Sequence, residues 1–518
     1  MKTPTYFQTK ELAVLLLCGI IFVSSPVRGQ GPSLPEGLGG EGAEDEEKEE
    51  KEEKEEKEEK EVDEGPSLPA GLEDDSGAGP SGGGGPALPE GLGGDEEGEE
   101  DGKPEEAEKK FELPFQISGF WEARYGIRTR DAPARDSILE ETRLQLEAED
   151  YWKSIGTRGS LKADLLYDPV SHDYDIDLEE GRSAIDLREA NVAFTPTTFA
   201  DVRLGRQVLT WGTGDFVFLN DVFPKDYRSF FAGRGVEYLK APSDSAKVSL
   251  YSDLVNLDVV YTPHFDHDRF LDGRRFIYWS DRMGGQTMRE IDPDAPPSWF
   301  EDDELAMRAH RMVGGYELAG YFYRGFWKSP AGVNPRSGRP TFPDLSVYGA
   351  SARGRLGTGI ANAELAYYDS EDDQGGDNPF VNNSEVRFLV GYDQEVAAYF
   401  PSVKNFTVAG QYYLEHMLDH GEYVDTLPRG FRARDENRHV VTLRLTKLFW
   451  NQNLELSLFT FYSWSDDDAY LRPRAAYDVT DNWKVEAGGN LFMGDDRHTS
   501  FGQFEKNSNI YAALRYSF

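Results

Sequence analysis

From Leu113 onward the chain alternates with a period of two. Between residues 115 and 130, Ile117, Gly119, Trp121, Ala123, Tyr125 and Ile127 fall on one side of an extended backbone, and Gln116, Ser118, Glu122, Arg124 and Arg128 on the other. Leu144, Leu146 and Ala148 alternate with Arg143, Gln145 and Glu147; Leu257, Val259 and Tyr261 with Asn256 and Asp258; Val441, Leu443 and Leu445 with Thr442 and Arg444; Trp483, Val485 and Ala487 with Lys484 and Glu486. Successive side chains of a strand point to opposite faces, so each segment has one apolar and one wet face. About eighteen such segments can be drawn, most of them roughly 9–13 residues long. That is longer than the usual soluble strand and about the length a tilted strand needs to cross a bilayer.

The links between these segments also alternate. Short ones fall at 150–157, 196–200, 253–254, 314–315, 356–358, 395–403, 450–452 and 480–481, and longer ones at 212–244, 263–303, 326–344, 369–383 and 417–436. Short turns at one end and long loops at the other mark a membrane β-barrel. The chain ends in a further alternating segment, with Ile510, Ala512, Leu514, Tyr516 and Phe518 on one face. A terminal aromatic of this kind resembles the signal by which barrel-assembly machinery recognises its clients. The expected fold is all-β, a transmembrane antiparallel up-and-down β-barrel of about 18 strands (16–18), spanning 113–518. Backbone groups have no partner in hydrocarbon, so the sheet must close on itself. At this strand number side chains alone do not fill the lumen, which holds water unless a loop or tether narrows it.

The N-terminal part differs. Lys2 and Lys10 precede an apolar run from Leu12 to Val23, too short to span a bilayer, and small residues follow; this reads as a signal peptide over 1–29. Cys18, the single cysteine, lies inside that run, so a mature chain has no thiol for a disulfide, a metal site or a haem attachment. Residues 30–112 form a low-complexity acidic segment. Between 31 and 112 stand 31 acids against 8 lysines, and GP[SA]LPxGL recurs from Gly31, Gly65 and Gly85. Such a composition buries too little apolar surface to offset chain entropy, so the expectation is a disordered periplasmic tether. Its repeats fit either drift within a linker or docking motifs for a periplasmic partner. The chain's net charge of −40 argues against nucleic acid, which calls for basic patches.

With the apolar faces turned to lipid, the lumen is expected to carry Glu122, Arg124, Arg143, Glu147, Asp258, Arg444, Lys484 and Glu486. The link 263–303 holds Arg269, Arg274, Arg275, Arg282 and Arg289 among aromatics, and is a candidate to fold inward as an arginine constriction. An outward loop with surface ion pairs is the alternative. The link 212–244, with Lys225, Arg228, Arg234, Phe216, Phe218, Phe223, Phe230 and Phe231, competes for the same role. No spacing suggests a catalytic constellation, a metal site or a cofactor. His416 with His420, and His264 with His267, read as surface scatter.

The tract 202–212 (VRLGRQVLTWG), preceded by 187–190 (LREA) and followed by 220–227 (NDVFPKDY), resembles a group of poorly characterised porin-like outer-membrane proteins of proteobacteria. The resemblance covers about 113–518 and marks Arg203, Arg206, Gln207 and Trp211, without assigning their roles. It implies a porin-like barrel in the outer membrane of a Gram-negative bacterium, and an even strand count places both termini in the periplasm. The expected function is passive diffusion of small hydrophilic solutes, anionic ones being favoured if the arginines line a constriction. The alternative is an export conduit or scaffold whose acidic tether recruits a periplasmic partner or gates the lumen. Expected partners are outer-membrane lipids, the assembly machinery through Phe518 and the solute. The oligomeric state is left open.

Overall fold

The computed structural model describes residues 116–171 and 180–518. The signal peptide and acidic tether expected over 1–112 lie outside the described residues. The wall strands are β1 (Gln116–Arg128), β2 (Ser137–Trp152), β3 (Thr157–Tyr167), β4 (Ile185–Thr197), β5 (Ala200–Val208) and β6 (Pro242–Leu250). They continue as β7 (Asn256–Thr262), β8 (Glu304–Val313), β9 (Tyr316–Phe326), β10 (Asp344–Leu356), β11 (Gly359–Ser370) and β12 (Glu385–Glu395). The last six are β13 (Phe406–Met417), β14 (Asn437–Phe449), β15 (Leu454–Ser463), β16 (Asp468–Asp478), β17 (Trp483–Gly494) and β18 (Asn509–Ser517). Each pairs antiparallel with its neighbours in sequence. β1 pairs with β18 from Phe120 opposite Ser517 to Arg128 opposite Asn509, and this closes an 18-stranded ring.

The two faces are those of a membrane barrel. Outward positions such as Leu161, Leu318, Leu365, Val390, Leu443 and Ile510 are exposed large apolar side chains, Leu365 at 51% and Ile510 at 49%. Inward positions are charged and buried, with Arg143 at 1% and Asp164 at 0%. A soluble protein has the reverse arrangement; here the apolar exterior matches hydrocarbon and ring closure gives each of the 18 wall strands a neighbour on both sides. Exposed aromatics collect near both rims. Trp152, Phe199, Tyr399, Phe400, Trp450 and Trp483 lie at the short-turn end, and Trp299, Phe300, Phe431 and Trp464 at the long-link end. These are the interfacial girdles of the class. Both β1 and β18 have their chain-terminal ends on the short-turn side, as an even strand count requires.

The hydrophobic core sits inside the ring. Leu209, Trp211, Leu219, Val222, Phe223, Phe230 and Leu239, all from the link between β5 and β6, pack against the inward side chains Val260, Tyr321, Val347, Leu389, Phe459, Tyr470 and Phe492 of the wall. Helix α1 (Tyr227–Ala232) belongs to this link; α2 (His420–Thr426) lies in the link after β13.

Candidate functional site

The candidate site is the lumen where the link 209–241 crosses it. Its entry is built by the end of β5. Gly205, at φ +113, lies where an added Cβ would meet the Ala190 carbonyl oxygen at 2.4 Å, so the strand can pass β4 only without a side chain there. Arg206 donates to the Leu187 carbonyl at 2.7 Å and to Asp244 at 2.8 Å, holding β5 between β4 and β6. Gln207 is fully buried and donates to the Ser245 carbonyl at 3.1 Å. Trp211 packs edge-on against Phe223, with ring centroids 4.8 Å apart. Gly212, at φ +83, then turns the chain into the lumen. Three of the four positions marked by resemblance thus root the inward segment. The fourth, Arg203, faces the lumen on β5 opposite Ala193.

From this root the segment runs along the inner wall. Glu364 of β11 is buried and accepts four hydrogen bonds: from the Thr213 amide, from Thr213 Oγ1 at 2.9 Å, from the Asn220 amide at 3.3 Å and from Asn220 Nδ2 at 2.7 Å. Asp215 takes its amide bond to Gln411 of β13, and its carboxylate pairs with Arg444 of β14. Phe216 meets Phe459 of β15, Phe230 meets Tyr470 of β16 and Phe231 meets Phe492 of β17. Beyond α1, the Gly233 carbonyl accepts from Arg124 of β1, Arg234 pairs with Glu141 of β2 at 2.7 Å, and Tyr238 lies under Arg143. Finally Arg188 of β4 donates to the Lys240 carbonyl at 2.7 Å. Each of these contacts joins the segment to an inward side chain, so at this level the lumen holds main chain as well as wall side chains.

The link 263–303 also packs inward, at the long-link end. Phe276 and Ile277 are buried, and Ile277 exchanges two hydrogen bonds with the Asn507 side chain of the link before β18, at 2.9 and 2.7 Å. The link is tied to the first segment by Arg269, which pairs with Asp186 of β4 at 2.7 Å and with Asp226 at 3.4 Å. Asp226 in turn caps α1 by accepting from the Ser229 amide. Burial alone would raise the Asp226 carboxyl, but the Arg269 guanidinium beside it holds it below the usual carboxylate range. Asp268, which accepts from the Lys225 amide at 2.7 Å, is pushed up by burial.

The five arginines expected to form a constriction therefore have three different situations. Arg269 and Arg275 are buried struts, Arg275 bonding Asp168 and the Ile138 carbonyl. Arg274 is half-buried against Glu290, at 2.6 Å. Arg282 and Arg289 are exposed on the same link. The eight expected pore-lining residues all lie on the inner face, most of them in ion pairs. Glu122 bonds Arg124 and Arg515, Arg124 bonds Glu486, Arg143 bonds Glu141 and Asp164, and Arg444 bonds Asp393. Lys162 meets Glu147, Lys484 meets Asp478, and Asp258 accepts from Ser249 at 2.5 Å. His416 faces Asn437 and His420 the Arg434 carbonyl, and among the described residues no group of three or more His, Cys, Asp or Glu is placed to hold a metal.

Sequence reasoning did not single out Glu364, Glu141 or Tyr238, because each is one polar residue on an otherwise ordinary strand or loop; Asn220 opens the tract 220–227 but had no role assigned to it. The usable signal was the aromatic density of the 212–244 link, which a solvent-facing loop has no use for.

Comparison with solved structures finds barrels of low identity. Acinetobacter baumannii OccAB4 is 11% identical over 79% of this chain and 99% of its own, with a TM-score of 0.45. Salmonella typhi OmpF, solved in complex with daunomycin, is 10% identical over 78% and 97%, at 0.39. A Rhodopseudomonas blastica porin triple mutant is 12% identical over 78% and 100%, at 0.34. Comparison with curated proteins gives no match. A family model described as "Protein of unknown function (DUF1302)" matches residues 121–518, which takes in nearly the whole barrel. The chain belongs to that family.

Proposed function

We propose that the protein is a passive channel in the outer membrane of a Gram-negative bacterium, with its short-turn end and both termini facing the periplasm. The observation that carries this reading is the pairing of an apolar outer face with a charged inner face in a closed 18-stranded ring, which suits a water-bearing lumen in a bilayer. The inward segment 209–241 narrows that lumen, and small hydrophilic solutes pass beside it. Anion preference is the finer part of the reading. Its support is Arg282 and Arg289, which are exposed on the link covering the mouth. Arg269 and Arg275 serve as struts under the same proposal.

The test is single-channel conductance of the refolded protein in planar bilayers, with reversal potential in a salt gradient. A small steady conductance with anion preference is expected, and Arg282→Gln with Arg289→Gln should reduce the preference without closing the channel. A folded barrel that passes no current would overturn the channel reading. A current indifferent to both substitutions would remove the anionic part alone.

A further inference from the structure

Where the inward segment passes β15 and the link before β18, the side chains leave a cavity of about 130 Å³. Its walls are Phe216, Phe218, Phe230 and Phe231 from the segment, Phe461 from β15 and Phe501 from the 495–508 link, completed by one leucine and one tyrosine. We propose that this cavity is a binding site for a neutral, single-ring aromatic molecule of about the size of benzene.

Three observations support the assignment. The first is chemistry: a water molecule needs two to four polar partners, and a wall made almost entirely of phenyl rings does not offer them. Apolar cavities of roughly this volume stay dry and take up benzene or xenon. The second is ring geometry. Among the lining rings, Phe216 lies 5.2 Å from Phe230, Phe230 5.5 Å from Phe231 and Phe461 5.3 Å from Phe501, each pair tilted. Rings held tilted at 4.5–7 Å present the faces and edges that another ring packs against. The third is placement. Packed interiors leave few voids larger than a water molecule. This one lies in the segment that crosses the lumen, between that segment and two other elements that approach it.

Fluorobenzene is a direct probe, followed by fluorine NMR with the full-length protein in detergent and protein-free micelles as the blank. The expected result is a saturable bound signal that unlabelled benzene displaces. Leu239 is the lining leucine, and Leu239→Phe, which fills the site from the segment side, should weaken binding at least tenfold. Phe461→Trp fills it from the wall and should do the same, with the native β-sheet signal checked for each variant. Absence of saturable binding to the folded wild-type protein would overturn the proposal. Equal binding by both filled variants would also overturn it, since the signal would then come from the lipid-facing surface.

Discussion

Replacing Glu364 by alanine removes the acceptor for four donors of the inward segment, and the consequence follows from their geometry. The Thr213 hydroxyl can turn elsewhere, and the Asn362 side chain already bonds Thr213 at its carbonyl and hydroxyl oxygens. The Asn220 side chain keeps a longer bond to the Ala350 carbonyl at 3.4 Å, but the Thr213 and Asn220 amides have no such freedom. A hydrogen bond to a charged acceptor contributes about 1.5–3 kcal/mol, and a buried donor left unpaired costs about 1–3 kcal/mol. Losing two to three of these bonds weakens docking of residues 213–220 by about 4 kcal/mol. Since 1.4 kcal/mol is a factor of ten, amide exchange at Thr213 and Asn220 should accelerate about 10²–10³-fold. Glu364→Gln keeps one acceptor oxygen but turns an NH₂ towards Asn220, so it should lose about half as much, roughly 2 kcal/mol and about thirty-fold in exchange. In planar bilayers Glu364→Ala should raise the conductance or its fluctuation. Exchange within about threefold of wild type in a folded Glu364→Ala barrel would refute the reasoning, because the segment would then be held by its aromatic packing and not by this carboxylate.

Gly212→Ala forces a side chain into a φ of +83 and against the Glu364 carboxylate, whose oxygen lies 3.3 Å from the new Cβ; a cost of about 1–3 kcal/mol is expected, read as a lower unfolding midpoint. Burial is the main cause that lowers the His267 pKa, with Arg228 adding to it and Asp268 and Asp266 opposing. The unfolded imidazole therefore binds its proton first, and stability present above about pH 6.5 is lost as the pH falls towards the folded pKa. Between pH 7 and 5 the 263–303 link should gain amide exchange in the wild type and not in His267→Leu. Leu365→Arg, at mid-strand on the outer face, should destabilise the vesicle-inserted barrel by about 2–4 kcal/mol in denaturant titrations. Removal of residues 30–112 should leave single-channel conductance unchanged; an altered conductance would give the acidic segment a gating role.

The barrel was legible in the sequence because its cause is local. Each wall strand must turn one face to hydrocarbon, so Leu144, Leu146 and Ala148 alternate with Arg143, Gln145 and Glu147 whatever the rest of the chain does. The short links were legible for the same reason: Gly314–Gly315, both at positive φ, join β8 to β9 with no room for anything else. The lumen was harder, because what fills it is decided by contacts between residues far apart in sequence. Of the two links with enough apolar material to fold inward, 263–303 carries more arginine and 209–241 more phenylalanine, and composition does not say which one crosses the lumen and which covers it.

The arginines show why their sign alone was a poor guide. Arg269 and Arg275 sit within the same seven residues as Arg274, yet two are buried and one is not. A buried guanidinium needs a carboxylate to offset its desolvation, so its fate depends on whether an acid faces it. Asp186 and Asp226 face Arg269, and Asp168 faces Arg275, while Arg282 is exposed. The residues expected to select the solute thus divide by a criterion that strand periodicity does not contain. Arginines with buried acids opposite them hold the two inward links to the wall and to each other. Arg282 and Arg289, exposed on the same link, are therefore the arginines on which the proposed anion preference is to be tested.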